Sequence, residues 1–598
     1  MFQNRTTIKG VFGRIIGIVC ICLWFGVLSW SCSGSTDKKE VEIADETTWK
    51  APEEANHKVN PMEGSDAIEA GSALYMVYCW NCHGETGLGD GAAGGAMGSK
   101  PANFHTETFL NQTDGAIFWK ISEGRGAMPG FEEVLGEEER WQLTTFVRQL
   151  GQMEITEPTD APKPLVEGIS VTQFAKVAPR ATRVFYRESD HSLWYATFTG
   201  DVYTWSLDDA VAQPKKVVSV EDHGIDRLQG ATIYGDTLLL TGNIRVNDNK
   251  GTTGWMMRVV LHPEGKHEVS KVFSTVEYGT TNTPFDHGWS AVKVSPDGKY
   301  VYVVSGSRTD HGEVQDNLGA YPDSRDEPLT ARIFRFPIDA KDLSLPNDLE
   351  KLKEKGYVFA EGIRNAYDFD FDEEGRMFAV VNSGDYDQNE DMFWVREGHH
   401  YGFPWVMGGM ETPQQFPDWE ADPEKDPFLN PAAAAYPDDF YNDPGFAKRP
   451  EGVEFTQGMR NFGPDANKYR DEETGKIMDG SDTGVAITTF TPHSSPLGLV
   501  FDRGNNLPGQ FKGNALTLRY TNGERSSLMK PFTSNGEDLL HLELSYNEAL
   551  DNFDLKTTRI VARFSQPVDA VLVGNDLYVI EYGGRQKGGN LWKVTFEK

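Results

Sequence analysis

The sequence predicts two unlike folds in one chain: a small all-α domain followed by an all-β propeller of about six blades. Three observations lead there. Apolar residues recur at three- and four-residue steps before residue 150 and hardly at all beyond it. From residue 169 a unit of alternating strand, tight turn and second strand recurs about six times. The pentapeptide Cys79-Trp80-Asn81-Cys82-His83 lies inside the helical block.

The chain has 598 residues and a net charge of −33, which argues for more than one domain and against a nucleic-acid partner, since phosphate binding needs a basic footprint. Residues 1–32 read as an export signal. Arg5, Lys9 and Arg14 precede an apolar run from Ile15 to Leu28. Leu28-Ser29-Trp30-Ser31-Cys32 resembles a bacterial lipoprotein cleavage site, which implies a lipid anchor on Cys32. Cleavage without lipidation and an uncleaved anchor are the other readings of this segment. The expected location is outside the cytoplasm, periplasmic or cell-surface. Of the five cysteines, Cys20 and Cys22 lie in the apolar run, which leaves none for a disulfide once Cys32, Cys79 and Cys82 are assigned.

Residues 33–64 are polar and charged without apolar period and read as a flexible tether. Residues 65–150 carry three helical patterns, Ala67 to Val77, Thr113 to Glu123 and Gly136 to Leu150. C-x-x-C-H is the attachment site of a covalent c-type haem. Cys79 and Cys82 would bond the haem vinyl groups, and His83 would ligate the iron. Met128, in Gly126-Ala127-Met128-Pro129-Gly130, offers a thioether as second axial ligand, and a His/Met pair makes an electron carrier. A zinc site would need further Cys or His nearby. The block resembles a class I cytochrome c over its whole length.

Residues 151–168, with Pro158, Pro162 and Pro164, read as a semi-rigid linker. The propeller is expected over 169–598, its blades signalled near residues 190–205, 235–259, 295–336, 372–395, 512–518 and 574–594. A β-sandwich is the structural alternative. Residues 405–480, rich in Pro, Asp and aromatics, form a long insertion, expected as a lid or a docking surface. Arg308, Asp310, His311 and Glu313 form a polar cluster after a strand, either near the same mouth or a satisfied loop.

Within the propeller, Asp286-His287-Gly288-Trp289-Ser290, Gly362-Ile363-Arg364-Asn365, Asn382-Ser383-Gly384-Asp385 and Gly398-His399-His400-Tyr401-Gly402 follow in order. Together they resemble the glucose/sorbosone dehydrogenase family, six-bladed propellers that bind pyrroloquinoline quinone (PQQ) and calcium. The resemblance is strongest from Asp286 to Gly409, and Ser494-Ser495-Pro496 extends it. It implies that His287 is the general base, that Arg364 and Asn365 contact the quinone, and that Gly384 and Asp385 hold calcium. By themselves His287 also reads as an ordinary loop histidine, Arg364 as the partner of a local acid such as Asp368, and Asp385 with Asp387, Asn389, Glu390 and Asp391 as a solvated acidic loop. The pattern departs from the family twice. Asp502-Arg503 stands where the family has a lysine, and Gln566-Pro567-Val568 stands where it has two arginines against the quinone carboxylates.

The expectation is a dehydrogenase that oxidises a sugar or other alcohol or aldehyde, with electrons leaving through the haem to a redox protein or membrane acceptor. The alternative is an electron-transfer cytochrome fused to a non-catalytic binding propeller.

Overall fold

The computed structural model describes residues 49–62, 64–84, 87–89, 101–126, 128–152, 161–208, 213–247, 249–262, 265–281, 283, 285–316, 319, 321–429, 442–521, 532, 535–584 and 588–597. The export signal, the Cys32 anchor, residues 85–86 and 90–100 after the haem motif and residues 153–160 of the linker lie outside them. No helix of the described residues is long and apolar enough to cross a membrane.

The helical block comprises α1 (Glu53–Asn56), α2 (Ser65–Tyr78), α3 (Trp80–His83), α4 (Glu107–Leu110), α5 (Asp114–Glu123) and α6 (Glu137–Gln152). Local chemistry sets the start of α5: the Thr113 side chain accepts from the Ala116 N–H, satisfying an otherwise orphan donor. Helices α2, α5 and α6 bury Leu74, Tyr75, Ile117, Ile121, Leu143, Val147 and Leu150 in one cluster. The stretch expected as tether enters this block at its end. Trp49 packs on Trp119, and the Asn60 side chain donates to Thr145 Oγ1 at 2.9 Å. A four-residue helix is too short to show a period, so α1 left no pattern in the sequence.

Helices α2 and α6 cross closely because Gly71 has no side chain. A methyl there would lie 2.1 Å from the Gln142 carbonyl oxygen. Gly71→Ala is expected to destabilise the block by about 1–3 kcal/mol. A thermal melt followed by helical ellipticity checks this, and an unchanged melting point would mean that the crossing relaxes freely.

After residue 168 six blade sheets follow in chain order, and two small two-stranded sheets, Val406–Met407 with Met410–Glu411 and Lys468–Arg470 with Ile477–Asp479, lie in the 405–480 insertion. Blade 1 runs from Ala181–Arg187 to Lys215–Val218, blade 2 from Arg227–Tyr234 to Glu268–Thr275, and blade 3 from Trp289–Val294 to Val358–Glu361. Blade 4 has three strands, Asp368–Phe371, Met377–Val381 and Asp391–Val395. Blade 5 runs from Pro496–Phe501 to Asn552–Ala562 and gains Arg460–Pro464 and Ile487–Thr488 at its outer edge. Blade 6 is built from Pro567–Val573, Asp576–Glu581 and Asn590–Phe596, and its outermost strand is Ile169–Lys176, paired antiparallel with Asn590–Phe596. The first strand of each blade contacts that of the next, and blade 6 returns to blade 1, so the ring closes.

The alternating sequence pattern explains the packing. In blade 2, Leu238 and Leu240 point into an apolar cluster shared with blade 1, while Leu239 points into the cluster shared with blade 3. Each such leucine contributes about 1.5–3 kcal/mol by leaving water. Six clusters of this kind occupy the six blade interfaces. The centre of the ring is charged instead. Arg183, Lys293, Asp368, Asp370 and Asp569, all on innermost strands, form a buried network in which Lys293 Nζ lies 3.3 Å from Asp368.

The end of the expected linker belongs to the propeller. Lys163–Pro164 pairs with Val561 and Ala562, and the Leu165 N–H donates to the Ile560 carbonyl. The 405–480 insertion supplies the strand Arg460–Pro464 to blade 5, and its Asp443 takes Arg325 and the Val314 N–H.

Candidate functional site

Two centres emerge, one in each fold. In the helical block, Cys79 ends α2 and Cys82 lies in α3, the next helical turn. His83 is buried, and its Nδ1 faces the Ala102 carbonyl at 3.1 Å. That acceptor holds the proton on Nδ1 and leaves the Nε2 lone pair for a metal. The ring stacks on Phe104 with centroids 4.8 Å apart. Burial lowers its pKa, which keeps the imidazole in its ligating, neutral form. Burial also pushes the Cys79 thiol well up. Met128 is held by a tight loop, its N–H donating to Arg125 O and its carbonyl accepting from Arg125 N–H. It packs against the same cluster as Cys79, Trp80 and Ala102. The Cys79 thiol and the Met128 thioether in one apolar cluster, with the His83 imidazole stacked on its Phe104 and Cys82 in the next helical turn, suit a covalent haem.

The second centre is a cleft of about 270 Å³ at one end of the propeller ring. Thr182, Gln229, Tyr367, Leu497 and Val568 line it from innermost strands or the residues beside them. Tyr520, Tyr582 and Phe198 add aromatic wall. Of the residues singled out from sequence, His287 lines this cleft. Its Nδ1 lies 3.3 Å from both the carbonyl and the hydroxyl oxygen of Ser307. That hydroxyl donates to the Thr309 carbonyl, so both Ser307 oxygens act as acceptors toward the ring. The ring proton therefore sits on Nδ1, and Nε2 carries the lone pair. Burial, and then the charge of Arg364, push the His287 pKa down to about 3.

Arg364 and Asn365 are not among the residues lining this cleft. The Arg364 guanidinium is buried and donates to the Asp310 carboxylate at 2.7 Å, the Asp310 carbonyl at 2.8 Å and the Asn382 carbonyl at 3.1 Å. Its partner is Asp310 rather than Asp368. It still acts on the base, by its charge and through its carbonyl, which accepts from the Ser307 N–H at 2.6 Å.

Gly384 and Asp385 sit beside Asp310, with the Asp385 N–H donating to that carboxylate. Asp387 is taken by Arg470 and His493, Glu390 by Ser494 and Asp391 by the Gly408 N–H. Among the described residues no three His, Cys, Asp or Glu side chains converge on a metal position. The main-chain oxygens of Gly384 and Asp385, which the family resemblance assigns to calcium, are two of the six to eight oxygens that ion takes. These residues therefore do not form a calcium site by themselves, and no chemical step is assigned to one.

Sequence reasoning missed three arginines. Arg180 precedes the first strand of blade 1, Arg227 opens blade 2, and Arg245 lies on the second strand of blade 2, and all three line the cleft. Arg180 Nε donates to the Tyr582 hydroxyl at 3.1 Å. Arg245 pairs with Asp286 at 2.9 Å, and Asp286 is also 3.5 Å from the fully buried Arg308. Burial would raise the Asp286 pKa, but Arg308 and then Arg245 hold it well below the carboxylate range. No motif in the sequence joins these three arginines.

Residues 66–147 match the model of the family described as cytochrome C oxidase, cbb3-type, subunit III. No curated protein matches the chain. Among solved structures, the PQQ domain of pyranose dehydrogenase from Coprinopsis cinerea is 13% identical, with a TM-score of 0.43 over 74% of this chain and 98% of that one. The soluble aldose sugar dehydrogenase from Escherichia coli is 14% identical, with a TM-score of 0.42 over 72% of this chain and 100% of that one. By its haem motif, its ligand loop and its family match, the N-terminal block is a cytochrome c domain, an electron-transfer module joined in one chain to a six-bladed β-propeller.

Proposed function

We propose that the protein is a dehydrogenase of the quinoprotein type, exported from the cytoplasm and anchored through Cys32, that oxidises a sugar or other alcohol or aldehyde in the propeller cleft. The observation that carries this reading is His287, neutral and with its Nε2 lone pair available, in a cleft on the propeller axis of a chain that also holds a covalent-haem block.

The cleft suits PQQ on its own chemistry. It has aromatic walls for a flat ring system and half-buried cations for carboxylates, and a guanidinium nitrogen there, Arg245 Nε, has no hydrogen-bond partner among the described residues. When bound, the quinone supplies an acceptor for two electrons. The chain's own residues do the remaining work. His287 Nε2 takes the proton of the substrate hydroxyl, while Ser307 holds the ring in the base-competent tautomer. Arg364 supports this from behind by holding Ser307 and by keeping His287 unprotonated. Tyr520 and Tyr582 bring phenol groups and apolar faces to the rim, surfaces that suit a hydroxylated ring. Oxidation of one substrate releases two electrons. A one-electron carrier passes them on in two rounds to an external redox protein or membrane acceptor.

The test is anaerobic addition of an aldose panel, then primary alcohols and aldehydes, to the mature chain loaded with quinone, with and without added calcium. Reduction of two haem equivalents per substrate oxidised is expected, read from the haem absorption. A haem that dithionite reduces but no member of the panel does would sink the proposal.

A further inference from the structure

We propose that Arg180, Arg227 and Arg245 form a carboxylate clamp at the blade 1–blade 2 side of the cleft, built to hold a planar ligand carrying at least two carboxylates. The clamp replaces the cations that residues 566–568 do not supply. The proposal rests on the reading of the cleft as the quinone site and adds which residues grip the cofactor and by which end.

Three observations converge. First, the charges lining the cleft do not balance. Three guanidinium groups meet one carboxylate, Asp286, and that carboxylate also faces Arg308 beneath it. This excess sits in a protein whose net charge is −33, so it is not part of a generally basic surface. Second, the arginines have unused donors. The Arg245 side chain is only 10% exposed, and its Nε has no partner among the described residues. Arg227 makes no ion pair or side-chain hydrogen bond among them. Third, the cations repel one another. Burial, then Arg245, push the Arg227 pKa down to about 10, with Arg180 adding to the effect while Asp226 and Asp286 oppose it.

A guanidinium fork matches a carboxylate with two parallel hydrogen bonds, and the low-dielectric cleft strengthens them. Forks on two neighbouring blades suit carboxylates at separate positions on one rigid ring system better than a single monoanion. The clamp lies on blades 1 and 2, and His287 lies at the entry of blade 3. Asp286, the partner of Arg245, immediately precedes His287, so a ligand anchored by its carboxylates at the clamp lies beside the base.

The test is calorimetric titration of the mature, haem-carrying chain with two compounds. One is PQQ, and the other is benzene-1,3,5-tricarboxylate, a planar polyanion with no redox chemistry. Arg227→Gln and Arg245→Gln are each expected to weaken both by roughly 30-fold or more. Arg227→Lys is expected to recover part of the loss, and raised salt to weaken binding to the wild type more than to the variants. Haem absorption and thermal melts verify that the variants fold, and Arg227 is the safer position because it has no internal partner to lose. Tricarboxylate binding that depends on the arginines, with no quinone binding, would keep the clamp and reject the quinoprotein reading. Quinone binding that is the same in both Gln variants would keep that reading and overturn the clamp. Absence of binding by either compound at about 1 mM, weaker than about −4 kcal/mol, would also overturn it.

Discussion

Replacing Cys79 and Cys82 together by serine removes covalently bound haem completely. Haem staining on a denaturing gel disappears, and the purified chain shows no haem absorption band. The two thiols stand one helical turn apart at the α2–α3 junction, and no other cysteine lies among the described residues. The loss extends to the fold of the block, because Cys79, Trp80, Ala102 and Met128 are packed on the apolar cluster that a haem would complete. The propeller has its own six interface clusters and is expected to keep its melting transition. Persistence of haem on the denaturing gel would contradict the assignment. Met128→Ala tests the other side of the pocket. It is expected to keep the covalent haem but lower its midpoint potential by something of the order of 0.1 V, within the ≈ 0.8 V that axial ligands span.

His287→Gln is expected to slow substrate-driven haem reduction by about 10²–10⁴-fold, the usual contribution of a general base. Glutamine keeps most of the volume and can still donate to Ser307, so binding of quinone and substrate should change little. The effect should therefore fall on kcat rather than KM. The pH dependence is a second readout. A histidine whose pKa is lowered to about 3 stays neutral, and so able to accept a proton, far below the usual 6.5. The acid limb of kcat/KM that reports this group should accordingly lie below pH 4. A break between pH 6 and 7 that vanishes in His287→Gln would mean that the imidazole is solvated rather than buried. Unchanged turnover in the variant would remove His287 from the chemistry altogether.

The two centres differ in how much of them the sequence carries. The haem site is written almost wholly in five consecutive residues, because covalent attachment and ligation both act within one helical turn. The blades were also legible. A strand buried on two faces needs apolar residues at every position, as in Leu238-Leu239-Leu240, and a turn such as Pro296-Asp297-Gly298 marks its end. The cleft was not, since its walls come from all six blades or their entries, three of which contribute only one or two residues each. Arg180, Arg227 and Arg245 share no motif and converge only when blades 1 and 2 stand side by side. Arg364 shows the converse. Its motif is conspicuous, but its partner Asp310 lies 54 residues earlier, and that pairing turns the guanidinium away from the cleft. The stretch 49–62 was hidden for another reason: Trp49 and Asn60 pack by single contacts that no period announces.

Closing the ring with Ile169–Lys176 against Asn590–Phe596 has a consequence for the order of maturation. The chain is made from its N-terminus, so every residue of the haem block, through Gln152, is available while the propeller is still incomplete. Ile169–Lys176 must then wait, as an unpaired edge, until Asn590–Phe596 has been synthesised. The helical block can fold during that interval, whereas the ring of blades stays open until the two strands meet. A chain lacking Asn590–Phe596 would thus carry a folded helical block attached to an open, aggregation-prone sheet.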